Sequence, residues 1–159
     1  MSVSLRAFVD EMDVFSDEHH AYINKITGEL VTLSNEEINA IEDGDDWAHY
    51  PVWQQELLQT AQRVMESNDF IELPSKHEIH EYRIIEAFCD ILPDRLQNEF
   101  FSCIRGSGAF RCFKAALYRH GIEQNWFAFR RDALKDIAKQ WCKDNEIQFI
   151  DDMDRRKIR

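Results

Sequence analysis

Arg105, Arg111 and Lys114 frame the stretch whose residue types and spacing point most directly to chemistry: Arg105-Gly106-Ser107-Gly108-Ala109-Phe110-Arg111-Cys112-Phe113-Lys114. A glycine loop there runs into a basic amphipathic helix, in a chain whose formal net charge is -11. The chemistry this implies is anion binding. A helix start has unpaired backbone N–H groups and a partial positive charge. Gly106 and Gly108 let backbone turn tightly and approach a ligand, and Ser107 adds a hydroxyl. Arg111 and Lys114 lie three apart on one helix face, with Phe110, Phe113 and Leu117 expected on the buried one. A phosphate or a carboxylate fits such a loop. The spacing matches no established phosphate motif. G-x-x-x-x-G-K-[ST] is absent, and the third glycine of G-x-G-x-x-G is replaced by Arg111. The competing reading is purely structural: the glycines join two helices and the cations pair with acidic groups elsewhere.

Other reactive side chains are weaker candidates. His77-Glu78-Ile79-His80 places two histidines at i, i+3. Zinc proteases need i, i+4 with Glu as base, so a charged first helical turn is the expectation. His77, His80 and Glu81, with His19 and His20, are the available acid–base groups. None completes a nucleophile–base–orienter set, and Ser107 has no identifiable partner histidine. Asp43-Gly44-Asp45-Asp46 lacks the alternating ligands of a calcium loop and reads as a solvated turn. Cys89, Cys103, Cys112 and Cys142 form no C-x-x-C pair and read as buried, reduced thiols, with redox or metal roles as the alternative. Nothing calls for a cofactor or a metal, and an enzyme is the less favoured class.

The elements that must position these groups follow from periodicity. Leu5, Phe8, Val9 and Met12 predict a helix over 3–13. Residues 21–24 and 29–33 predict a hairpin turning through Gly28. Ser34 with Glu37 is a capping box, opening a short helix that stops at Asp43-Gly44. Pro51 begins a helix to about Ser67, marked by Trp53, Leu57, Leu58, Ala61, Val64 and Met65. A short strand at 70–73 precedes Pro74, a helix spans about 77–92, and Pro93 opens another to about Ile104. The helix after the glycine loop reaches His120 and ends at Gly121. A last long helix runs over about 123–145, with Trp126, Phe127, Leu134, Ile137 and Trp141 among its apolar residues, and residues 147–150 form a final strand candidate. The fold class is α+β: a predominantly helical single domain over 1–150 with one hairpin and one or two short further strands. Residues 151–159 read as a charged, mobile tail.

With 159 residues the chain is about one domain long, and 8 Gly and Pro are too few for low complexity. Residues 1–100 hold 6 Lys/Arg and 22 Asp/Glu, whereas residues 101–159 hold 13 and 8. The acidity disfavours nucleic acid and anionic membranes as partners, since the far field repels phosphate. A local basic site survives that objection. A nucleic-acid or nucleotide reading would draw on the basic last third, Arg130, Lys135 and Arg155-Arg156-Lys157 supplementing Arg111. Neither a leader with a basic start and apolar run nor an apolar membrane helix is evident, so a cytoplasmic protein is expected. The favoured function is a non-enzymatic module binding a protein partner or a small anionic ligand.

Three segments carry a likeness. They are Tyr22-Ile23-Asn24…Thr27-Gly28-Glu29-Leu30, Leu73-Pro74-Ser75-Lys76-His77-Glu78-Ile79, and the 105–114 stretch with Trp126-Phe127-Ala128-Phe129 after it. In these the sequence resembles uncharacterised protein family 0158, a bacterial family of no assigned function. The resemblance spans nearly the whole chain, implies one domain, and brings no catalytic residues. Ser107 and Cys112 stand where that pattern commonly has arginine, which lowers the local charge.

Overall fold

The computed structural model describes residues 2–13, 18–44, 46–75 and 79–153. These form two compact units, Met1–Glu78 with Ala138–Arg159, and Ile79–Ile137. The architecture is α+β and mainly helical, as the periodicity predicts.

In the first unit, strand β1 (Val3–Ser4) leads directly into helix α1 (Leu5–Asp13). The expected helix over 3–13 thus starts two residues late. Val3 and Ser4 instead pair in parallel with Phe149 and Ile150 of β5 (Phe149–Ile150). The Ser4 hydroxyl accepts from the Ala7 N–H at 3.1 Å, which relieves one unpaired donor of the helix start. Leu5, Phe8, Val9 and Met12 are buried on one face, and Phe8 packs on Trp141 at 5.3 Å. Beyond β5, Asp151 pairs with Lys139 at 3.1 Å, and Asp152 takes the Ser4 hydroxyl and the Arg6 N–H. Residues 154–159 lie outside the described residues.

The hairpin is β2 (His19–Asn24) and β3 (Leu30–Ser34), turning through Gly28 at φ +79°. Strand β4 (Phe70–Glu72) adds to the free edge of β2, giving the antiparallel order β3-β2-β4. The capping box forms as read: the Ser34 hydroxyl accepts from Glu37 N–H and the Glu37 carboxylate from Ser34 N–H. It opens α2 (Asn35–Glu42). Asp46 caps the 3-10 turn Trp47–His49, and α3 (Val52–Glu66) follows Pro51. Leu33, Ala61 and Val64 centre the core here, with Tyr22, Ile38 and Phe70 against them. Trp53 and Leu57, expected on the apolar stripe, are exposed.

The second unit is helical. It holds α4 (Glu81–Asp90), α5 (Asp94–Ile104), α6 (Ala109–Arg119) and residues 123–137 of α7 (Glu123–Asp144). Of the helix expected over 77–92, His77 and Glu78 lie outside the described residues, Ile79 is helical, and α4 runs on from Glu81. His80 is left-handed, at φ 56°, and interrupts helical continuity after Ile79. Phe88, Phe100, Phe113 and Trp126 meet mostly edge to face at 4.9–6.1 Å. Such pairs add about 0.5–1.5 kcal/mol each beyond area burial. Phe113 is wholly buried in this cluster, and it fixes where α6, and so the loop before it, can sit.

Candidate functional site

Helices α5 and α6 are joined by the four residues 105–108. Arg105 is the C-cap of α5 and stays right-handed; the carbonyl before it, of Ile104, accepts from Tyr82 Oη at 3.0 Å. Gly108 is the N-cap of α6 at φ +71°, with no side chain to satisfy the N–H groups that follow. Gly106 has no such constraint: its φ is ordinary and nothing lies within 4 Å of where a Cβ would be. Of the two glycines, the backbone therefore requires only Gly108. Arg105, Gly106, Ser107 and Gly108 are all exposed, as are Arg111 and Lys114. The expected site residues are thus brought together on one surface, around the loop and the first turn and a half of α6.

Two expectations about this stretch are overturned. Phe110 is 47% exposed rather than core. On the helix it borders the buried line of Phe113 and Leu117 but lies one turn before Lys114, whose Nζ sits 4.6 Å from its ring centre. Cys103 and Cys112 are not reduced, buried thiols: they form a disulfide across the loop, with Cα atoms 5.3 Å apart. Cys112 is exposed and Cys103 half-buried. Only Cys89 and Cys142 are buried free thiols. Two cysteines placed near the ends of antiparallel helices with a four-residue connection meet in space. That signal stands in the sequence, although C-x-x-C spacing does not contain it.

The surrounding charge is uneven. Residues 100–122 contain Arg105, Arg111, Lys114 and Arg119 and no Asp or Glu. Arg119 is committed: its Nη2 donates to Glu99 at 2.9 Å, and His120 Nε2 meets the same oxygen at 2.7 Å. Arg119 first, then His120, hold the Glu99 carboxyl below the usual carboxylate range. Arg130 is likewise committed to Glu81, Nε to Oε1 at 2.7 Å. Arg105 and Arg111 make no side-chain hydrogen bond or ion pair with a described residue. The internally paired alternative for these two arginines therefore finds no partner among the described residues.

A family model described as Uncharacterised protein family (UPF0158) matches residues 1–157. The chain belongs to that family. No curated protein and no solved structure matches it. Membership of UPF0158 gives no side chain a role, so the site rests on its own geometry.

The other candidates gain little from the fold. His77 lies outside the described residues, with Glu78. His80 is exposed at the left-handed cap, and Glu81 is held by Arg130. His20 is tied through both ring nitrogens, to Glu72 Oε1 and Asn35 Oδ1 at 2.8 Å each. No group of three metal-ligating side chains occurs among the described residues. A hollow of about 110 Å³ beside α2 and α3 is lined by Tyr50, Trp53 and Leu57 with Glu36 and Glu37. Its only charged side chains are carboxylates, so it does not suit an anion. Among the described residues no helix is long and apolar enough to cross a membrane.

Proposed function

We propose that this UPF0158 protein is a non-enzymatic binding module that holds a small anion at the 105–108 loop and the start of α6. The observation that supports it most is that Arg105 and Arg111 are exposed, and unengaged by any described residue, beside a helix start whose N-cap is a glycine. The helix offers N–H donors, the arginines offer formal charge, and no carboxylate from 100 to 122 competes. Exposed cations are screened, so the binding is weak, with Kd on the order of 10 µM to 1 mM. Titration of the 15N-labelled chain with inorganic phosphate and with nucleotides tests it. Shifts should concentrate on residues 105–114, and R105Q/R111Q should weaken binding at least tenfold. An unmoved 105–114 segment at tens of millimolar phosphate rejects the reading.

A second reading has its own observation. Phe110 and Tyr118, 47% and 77% exposed, flank Lys114 at four-residue steps along α6. Aromatic rings between cations are a platform for single-stranded nucleic acid. A short oligonucleotide should then bind more tightly than phosphate, and Y118A should remove the difference. A cytoplasmic location goes with both readings. In a reducing compartment the Cys103–Cys112 disulfide would be transient rather than structural. Fractionation of cells expressing the tagged chain tests the location.

A further inference from the structure

The four cysteines divide into two chemical kinds. Burial, helped at Cys89 by Asp90 and Glu86, pushes the Cys89 and Cys142 thiols up to about 11. Thiols held there stay protonated near neutrality, and the thiolate is the nucleophile. Cys103 and Cys112 are bonded to each other at the surface, on the two sides of the 105–108 loop. Small thiols reach exposed disulfides and are excluded from buried ones.

The setting also favours the ions of the reaction. Arg111 directly precedes Cys112, Arg105 follows Cys103 by two residues, and neither arginine is engaged by a described residue. Cys112 lies in the first turn of α6, where the helix start stabilises negative charge. An anionic thiol is drawn towards these arginines.

We propose that Cys103–Cys112 is a thiol–disulfide exchange site whose co-substrate is an anionic low-molecular-weight thiol. A small thiolate attacks Sγ of Cys112, which belongs to the more exposed of the two residues. The new sulfur–sulfur bond forms as the Cys103–Cys112 bond breaks, and the electron pair leaves on Cys103. A second small thiolate attacks the small-molecule sulfur of that mixed disulfide and releases Cys112 as thiolate. Both cysteines take up the protons that the two small thiols lost. The protein disulfide gains two electrons, and two small thiols become one small disulfide. Opening the bond unties α5 from the first turn of α6; closing it ties them again across the proposed anion loop.

The full chain equilibrated with mixtures of reduced and oxidised glutathione, then acid-quenched, alkylated and mapped by peptide mass, tests this. No phosphate is added, so the exchange is judged apart from the anion reading. Cys103 and Cys112 should pass together between disulfide and dithiol as the mixture changes, while Cys89 and Cys142 take up no glutathione. A pair that stays closed in excess reduced glutathione until the chain is unfolded is a structural bond and overturns the proposal. So do two cysteines that never close in excess oxidised glutathione. C103S should trap glutathione on Cys112 as a mixed disulfide. R105Q/R111Q should slow reduction by glutathione roughly three- to tenfold and reduction by neutral 2-mercaptoethanol less. Equal slowing of both removes the preference for an anionic thiol.

Discussion

Gly108 reverses the hand of the chain at φ +71°, a conformation in which a Cβ costs roughly 1–2 kcal/mol, whereas Gly106 is unconstrained. Gly108→Ala should therefore destabilise by about that amount in urea unfolding. Gly106→Ala should be neutral or stabilise by up to about 1 kcal/mol, through the stiffer unfolded chain. Equal effects at both positions would deny Gly108 its role. A second residue-scale expectation concerns Glu99. Its carboxyl is held low by Arg119 and then His120. An unfolded Glu titrates near about 4.3, so folding favours the ionised form. That stability is complete above the unfolded value and is lost as pH falls through the lower folded one. Glu99→Gln should be less stable than the parent chain at pH ~6, and the difference should shrink below pH ~4. A difference that persists in acid would mean that the Glu99 ion pair carries none of it.

The elements that local chemistry specifies were legible in the sequence. The hairpin needs positive φ at Gly28, and Gly28 has it. The Ser34–Glu37 box starts α2 where its spacing says a helix starts. Ser34→Ala should cost about 1 kcal/mol in thermal or urea unfolding, because it frees the Glu37 N–H. A neutral result would mean that packing alone places α2. Elements made by distant partners were not legible. Val3 and Ser4 read as helix because a two-residue strand has no period, and their partners Phe149 and Ile150 are 146 residues away. The candidate site was half legible. The cations and Gly108 were read from their types, whereas the Cys103–Cys112 bond needs the antiparallel passage of α5 and α6. Phe110 was misread because the helical wheel places it at the edge of the buried face, where periodicity does not decide. Cys103→Ser with Cys112→Ser should lose about 2–3 kcal/mol through a freer unfolded chain, with unchanged helix content by circular dichroism.

Across the whole molecule the charge is partitioned between the units. Residues 79–137 hold 9 Lys/Arg and 8 Asp/Glu, and the remainder holds 10 and 22. Any anion that binds α6 must therefore approach a chain of net charge -11. At about 0.1 M salt the screening length is near 10 Å, so charges beyond that range of the bound ligand are largely muted. At about 0.01 M salt the length is near 30 Å, and the net charge of -11 opposes the approach of an anion more strongly. A short single-stranded oligonucleotide engaging Arg105, Arg111 and Lys114 would release about three counterions at about 0.7 each, giving a log–log salt slope near -2. Below about 0.05 M salt that slope should flatten, because relief of the far-field repulsion offsets the screening of the contacts. Fluorescence anisotropy from 0.01 to 0.3 M salt measures both. A constant slope of about -4 or steeper would mean that more cations than these three hold the ligand, and would shift the function towards a general nucleic-acid binder.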